Sequence, residues 1–279
     1  MNQFGGNWTE QKIEMVVAYA KAYLVIMNNY PQYKLLYFDG FAGSGDINQN
    51  DETDIDAIKG TAIRILEINE PKSFDQYYFV EKNEKNKNEL EQSINKNFSH
   101  RKTFVVAEDC NKKLISMAAY LKKNTSCRTL AFIDPYGMSV NWESIEALKG
   151  LGIDLWILVP TGMGINRLLK KDGKISDAWL IKLEKFLGLK KNYILDHFYK
   201  ETTTLTLFGE ETSIEKEQNA IAKSGALYQE RLKTVFKFVS ESFVMKNSTN
   251  SIMYHFMMAT NNATALKIAN DVIKPKYKN

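Results

Sequence analysis

A chain of 279 residues suits one α/β domain with insertions, and its 44% hydrophobic and 25% charged residues are ordinary for a soluble globular protein. Its 15 Phe, 14 Tyr and 4 Trp exclude wholesale disorder. No apolar run approaches the roughly 20 residues of a membrane span, the first residues lack a signal peptide's basic and apolar regions, and a net charge of +4 demands no polyanionic partner.

In chain order, residues 8–27 predict a helix, with Thr9 as its N-cap and Lys12 where a capping-box Glu would stand. Ile13, Val16, Val17, Ala20 and Leu24 recur at helical spacing. Residues 33–38 form a short apolar strand, followed at once by Asp-Gly-Phe-Ala-Gly-Ser-Gly at 39–45, an acidic loop at 46–56 and a helix at 61–69. Strands are then expected at 76–80, 103–107, 129–133 and 154–159, alternating with helices at 85–95, 113–122 and 142–148. Such a βαβ series predicts a mostly parallel sheet with both faces covered and ligands at the carboxyl ends of its strands. Beyond it come a lysine-rich, partly helical stretch, a helix at 228–239, two strands at 242–245 and 251–260 joined by Asn-Ser-Thr-Asn, and a closing helix at 263–273.

Four of the five strands end in a carboxylate within a residue or two. At the first, Asp39 precedes Gly40, Phe41, Gly43 and Gly45, and the glycines at 43 and 45 permit positive φ and close approach of a ligand to the backbone. No GxxxxGK[ST] run exists, and a GxGxxG fingerprint would need glycine where Asn48 stands. The turn resembles the D-x-F-x-G-x-G turn of class I S-adenosylmethionine-dependent methyltransferases. That resemblance implies the glycine backbone against the methionine and ribose, with the acid receiving the ammonium group. A glycine-rich turn with no ligand is the alternative. Glu81, after the second strand, stands where a carboxylate takes two ribose hydroxyls, and Asp109, after the third, where such enzymes hold the adenine amino group.

Ala-Phe-Ile-Asp-Pro-Tyr-Gly at 131–137 carries the expected chemistry. Acceptors from Asp134 and the Pro135 carbonyl would take the hydrogens of an exocyclic amine, and Tyr136 would stack on the target ring. A β-turn with Pro at its second position is the plain alternative. The turn resembles the Asp-Pro-Phe-Gly of the tRNA guanine-26 dimethyltransferase family. Asn166 and Arg167, beyond the fifth strand, are candidate substrate contacts. Lys170-Lys171 and Lys190-Lys191 either track a nucleic-acid backbone or form solvated faces. Trp142 and Trp156 read as core, and His255 as a packed, hydrogen-bonded histidine. Cys110 and Cys127 read as reduced thiols in a cytoplasmic protein, and no His or Cys pair has metal-ligand spacing, so no metal is expected.

Six stretches, in order, carry a wider resemblance: Gly-Gly-Asn-Trp-Thr-Glu at 5–10 with Lys12, Tyr-Phe-Asp-Gly-Phe-Ala-Gly-Ser-Gly at 37–45, Phe-Val-Glu at 79–81, Phe-Ile-Asp-Pro-Tyr-Gly at 132–137, Asp-Leu-Trp-Ile-Leu-Val-Pro at 154–160 with Ile-Asn-Arg-Leu at 165–168, and Met-Tyr-His-Phe-Met-Met-Ala-Thr at 253–260. Together they resemble the three-Cys-motif partner protein family, TcmP. Val159-Pro160 stands where relatives are expected to have Phe-Pro.

The resemblance implies a class I methyltransferase, Rossmann-like α/β fold in a bacterial or phage setting. It also implies a partner from a neighbouring gene carrying a three-cysteine, iron–sulfur, radical-SAM-like motif. The expectation is a doubly wound, mostly parallel seven-stranded sheet, divided into an N-terminal helical segment (1–30), an S-adenosylmethionine-binding core (31–162), an α-rich insertion after strand 5 (163–225) and a completion of the sheet (226–279). The leading function is methyl transfer to an exocyclic amine of a nucleic-acid base, away from membranes. The alternative is a cofactor-binding scaffold for the iron–sulfur protein without methyl transfer of its own.

Overall fold

The computed structural model describes residues 8–47, 58–206 and 209–274. Helix α1 (Trp8–Met27) precedes β1 (Lys34–Asp39), then α2 (Thr61–Leu66), β2 (Gln76–Val80), α3 (Glu84–Asn97), β3 (Thr103–Val106), α4 (Cys110–Lys123), β4 (Cys127–Ile133), α5 (Trp142–Glu146) and β5 (Ile153–Val159). A π-helical turn (Thr161–Ile165) and a short helical turn (Asn166–Leu168) follow. Next come α6 (Asp177–Leu187), α7 (Lys191–Phe198), β6 (Tyr199–Thr206), β7 (Gly209–Lys216) and α8 (Ala220–Lys233). The segments β8 (Phe238–Val239) and β9 (Phe243–Lys246), strand β10 (Ile252–Thr260) and helix α9 (Ala263–Ile273) complete the described chain. Most of the acidic loop expected at 46–56, and the first three residues of the 5–10 motif, lie outside the described residues.

The sheet runs β3-β2-β1-β4-β5-β10, with β8 and β9 both pairing the outer edge of β10 as one interrupted strand. That makes seven strand positions, as expected. Strands β1 to β5 are parallel, and β10 is antiparallel to β5. The order reverses between β1 and β4, so a crevice opens beyond their carboxyl ends.

The two-residue period of a strand sends alternate side chains to opposite faces. Leu35, Tyr37, Tyr77, Phe79, Leu130, Phe132, Trp156, Leu158, Phe256 and Met258 pack beneath α1, α2, α3 and α9. Phe38, Val80, Ala131, Ile133, Leu155, Ile157, Val159, Met257 and Ala259 pack beneath α4, α5 and α8. The same parity, continued past the strand ends, sends Asp39, Glu81 and Asp134 to the α1 side. Helix α1 buries the predicted stripe of Ile13, Val16, Val17, Ala20 and Leu24, and Trp142 and Trp156 are core.

Several expectations need correction. Helix α1 begins at Trp8, so Thr9 lies inside its first turn instead of capping it. The 163–225 stretch is only partly helical: its Thr-rich and acidic segments pair as the antiparallel hairpin β6–β7. β-Branched residues compete poorly for helix and pair well across strands. Leu183, Phe186, Leu187, Ile194 and Phe198 of this stretch join the same hydrophobic core as β4 and β5. Helix α8 starts at Ala220 and ends at Lys233, so the helix read at 228–239 breaks before β8; Val235 and Phe236 are buried beyond its end. Among the described residues no helix is long and apolar enough to cross a membrane.

Candidate functional site

Register brings the acids together. Asp39 lies opposite Phe79 on β2 and Phe132 on β4, so Glu81 and Asp134 stand two residues further along the neighbouring strands. Asp39 is buried, and its Oδ1 accepts the Phe41 N–H at 3.1 Å. Burial pushes its carboxyl up to about 7, against the stabilising Phe41 bond, with the Asp134 charge raising it further and Lys12 opposing.

The glycine turn folds back onto the sheet. Gly40 donates to the Phe132 carbonyl at 3.0 Å and Ala42 to the Val80 carbonyl at 3.0 Å. Gly43 then donates to Glu81 Oε2 at 3.0 Å, and Asn83 N–H donates to Glu81 Oε1 at 2.8 Å. Glu81 thus clamps the turn while each oxygen keeps a second lone pair. Gly43 has φ +64°, and a Cβ there would meet nothing within 4 Å, so its backbone borders open space. Gly40 differs: a Cβ would come within 2.6 Å of Cys110 Sγ and Ile133 Cδ1, so its smallness serves packing. At Gly45 a Cβ would meet Leu90 Cδ1 at 2.8 Å, and the Gly45 carbonyl accepts the Gly60 N–H at 2.9 Å. Phe41 is half-buried against the core.

Asp109 is the N-cap of α4, where its Oδ1 accepts from Asn111 N–H at 2.9 Å and Lys112 N–H at 3.4 Å. Both bonds fall on one oxygen, leaving Oδ2 for another donor.

Asp134 follows β4 on the α1 side and pairs with Lys12, a lysine only 5% exposed. Pro135 is buried, and Tyr136 stands 97% exposed at the rim. Sequence reasoning noted Lys12 but gave it no site role, although Lys12, Val16 and Ala20 stand four residues apart and so share the apolar stripe. It also passed over Tyr254. Parity with Phe256 and Met258 sends this tyrosine to the α1 side, where burial, and then the Asp134 charge, raise its hydroxyl pKa. Arg167 acts on the same hydroxyl in the opposite sense.

Arg167 is exposed beside this group, and Asn166 gives its carbonyl to Lys216 Nζ at 3.1 Å. Lys216 also donates to the Leu169 carbonyl at 2.7 Å, tying the hairpin to the turn after β5. His255 faces the other side. It is buried, shares a 2.8 Å hydrogen bond with Thr161, and lies against Gly225, with burial lowering its pKa to about 4. It is the packed histidine expected. Cys110 and Cys127 are both free and buried.

Asp39, Glu81, the open edge at Gly43, Asp134, Tyr136 and Tyr254 therefore share one end of one face of the sheet, with Lys12 reaching in from α1. An open glycine edge between two carboxylates fits a ligand that carries a cation and vicinal hydroxyls. Its neighbour, an acid beside an exposed aromatic ring, fits a planar amine.

No protein-family model matches this chain, and no curated protein matches it. Solved structures similar to it include protein LPL1258 from Legionella pneumophila strain Philadelphia 1, at 17% identity and a TM-score of 0.43, covering 93% of this chain and 99% of that one. Trm1 from Pyrococcus horikoshii, in complex with S-adenosyl-L-methionine, is similar at 10% identity and a TM-score of 0.41, covering 96% and 72%. The putative methyltransferase yhhF from Escherichia coli is similar at 11% identity and a TM-score of 0.31, covering 71% and 85%. These are distant likenesses of fold, and none assigns a role to a side chain of this chain.

Proposed function

We propose that the protein is an S-adenosylmethionine-dependent methyltransferase acting on an exocyclic amine of a nucleic-acid base. The observation that carries this is the convergence of Asp39, Glu81 and Asp134 on one face, around a glycine edge where a Cβ would meet open space. S-adenosylmethionine supplies an electrophilic methyl group on a sulfonium when bound. Asp39 would receive its ammonium group, an ion pair that offsets the burial now opposing ionisation. Glu81 would take ribose hydroxyls on its remaining lone pairs, and Asp109 Oδ2 the adenine amino group.

Asp134 and the Pro135 carbonyl would accept the hydrogens of the acceptor amine. Lys12 would orient that carboxylate. Tyr136 would stack on the acceptor ring, with Asn166 and Arg167 bordering its approach. Holding the amine in line supplies most of the acceleration, since effective molarities in well-oriented systems reach about 10⁵–10⁸ M.

Exposed Trp179, Ile181, Tyr193 and Ile214 on the 163–225 segment favour a second reading. In it, this surface docks the three-cysteine iron–sulfur partner, and the protein serves as a cofactor-binding scaffold.

Calorimetric titration of S-adenosylmethionine tests the proposal. Micromolar binding abolished in Asp39→Ala and Glu81→Ala is expected, followed by methyl transfer to DNA or RNA in a screen. Equal affinity in wild type and Glu81→Ala would overturn the site.

A further inference from the structure

The two edges of the central sheet are not alike. At one edge, β8 and β9 are short, residues 240–242 separate them, and the pairing of β9 shifts register between Met245 and Lys246. Interruption and a bulge of this kind blunt an edge against strand addition. The other edge is β3, Thr-Phe-Val-Val at 103–106, which pairs in continuous register with β2 alone among the described residues. It carries no proline, no charge and no bulge.

The carbonyls of Lys102 and Val106 accept the Tyr77 and Glu81 N–H groups at 3.0 and 3.1 Å, so the even-numbered residues here bond inward to β2. Thr103 and Val105, out of phase with them, turn their backbone groups to the open edge. Side chains follow the same period. Phe104 stands on the α4 face, its ring 5.9 Å from that of Tyr78. Among the described residues it is the one large apolar side chain of the central sheet left exposed, at 42%.

Opposite charges bracket the strand on that face, Lys102 before it and Glu108 after it. Lys102 is exposed and meets a neutral group, the Gln76 amide, whose oxygen can accept from it at 3.0 Å. The Glu108 side chain is 45% exposed and pairs with Lys113 at a long 3.8 Å. A strand with a cation at its start and an anion at its end complements a second copy of itself run antiparallel.

From the open edge, the exposed Phe104 and this charge order, we infer that the protein forms a twofold dimer through β3, which joins two sheets into one. The axis passes through Val105, whose outward backbone groups bond those of the other copy's Val105. Lys102 of each copy then lies opposite Glu108 of the other, and Phe104 opposite Val106, all on the α4 face. Thr103 lies opposite Ala107 on the α1 face. An axis at Phe104 would set Lys102 against Val106, and one at Thr103 would set it against Phe104, so the charges select Val105. Apolar and opposite-charge pairs across strands stabilise, and like charges directly opposite destabilise. The seam is one strand long, small beside the roughly 1,200–2,000 Å² of a standard interface, so the dimer is one that dissociates on dilution. This inference does not depend on the methyltransferase reading.

Sedimentation velocity on the full chain, from micromolar to millimolar concentration, tests it. The wild type is expected to pass from monomer to dimer, with amide exchange at Val105 slowing as the dimer forms. Lys102→Glu and Glu108→Lys, each alone, set like charges opposite and should weaken the dimer more than tenfold. The double variant Lys102→Glu/Glu108→Lys should regain wild-type association. So should an equimolar mixture of the two single variants, which brings opposite charges together in a mixed dimer. Misfolded variants could show neither recovery. A wild type that stays monomeric at millimolar concentration would overturn the dimer. So would a dimer that both single variants leave intact, a loss that neither the double variant nor the mixture recovers, or Val105 exchange unchanged by association.

Discussion

Lys12, near the start of the first helix, forms an ion pair with Asp134, at the end of the fourth strand. The two residues are 122 positions apart in sequence. Their meeting joins the N-terminal helix to the carboxyl end of the sheet, so this helix is part of the candidate site and not an appendage.

Replacing Lys12 by Met should remove the cation and keep much of the stem's packing. Asp134 would lose a charged partner in a half-buried setting, at a cost of about 1–3 kcal/mol. Urea unfolding reads that loss. Methyl transfer should fall at least tenfold, and S-adenosylmethionine affinity by much less, through loss of the Lys12 charge that favours ionised Asp39. A parallel loss of cofactor affinity would contradict the assignment of Lys12 to the acceptor side.

Asp39 should make cofactor affinity depend on pH. Burial holds its carboxyl near 7 in the folded protein, against an ordinary value of 3.8. Below pH 7 an ammonium ligand must displace a proton, so affinity should fall up to tenfold per pH unit and level off above pH 7. Folding stability has the opposite sign. Between pH 3.8 and 7 the folded state holds the proton that the unfolded state has released, so this group's contribution declines as pH rises through that window. Asp39→Asn should therefore raise the thermal midpoint above pH 7 while abolishing cofactor binding.

Tyr136 is so exposed that Tyr136→Ala should shift stability by no more than about 0.5 kcal/mol. A base stacked on it would lose about 1–3 kcal/mol, or roughly five- to 150-fold in acceptor KM. Steady-state kinetics against a nucleic-acid acceptor separates the two effects. An unchanged KM would remove Tyr136 from the acceptor site.

Glycines 40 and 43 should respond differently to alanine. At Gly43 the backbone φ of +64° penalises a Cβ by about 1–2 kcal/mol, and that Cβ would enter the open space proposed for the cofactor. At Gly40 the Cβ strikes Cys110 and Ile133, so the core must shift, at about 1–3 kcal/mol, with cofactor affinity reduced only through displacement of the turn. Denaturant midpoints and cofactor titration on both variants distinguish the roles.

Much of this protein was legible in its residues. Short apolar strands separated by amphipathic helices specify a parallel sheet, because alternation with period 2 and period 3.6 decides which faces are buried. The carboxylates at successive strand ends could be placed on one edge of that sheet before any coordinates. The hairpin β6–β7 was not legible: its residues carry no apolar alternation in sequence, and it forms through antiparallel backbone pairing of 199–206 with 209–216.

Tertiary structure decided which ends of which elements meet. Lys12 read as an incomplete cap because local spacing cannot reveal a partner on another element; only the packing of α1 on the sheet turns its ammonium toward Asp134. Tyr254 joined the site because β10 inserts antiparallel beside β5, a pairing set by non-local register. Local residue pattern specified the strands and their faces, since those depend on neighbours along the chain. The site's charges were matched by contacts between distant segments, which exist only once the hydrophobic faces have packed.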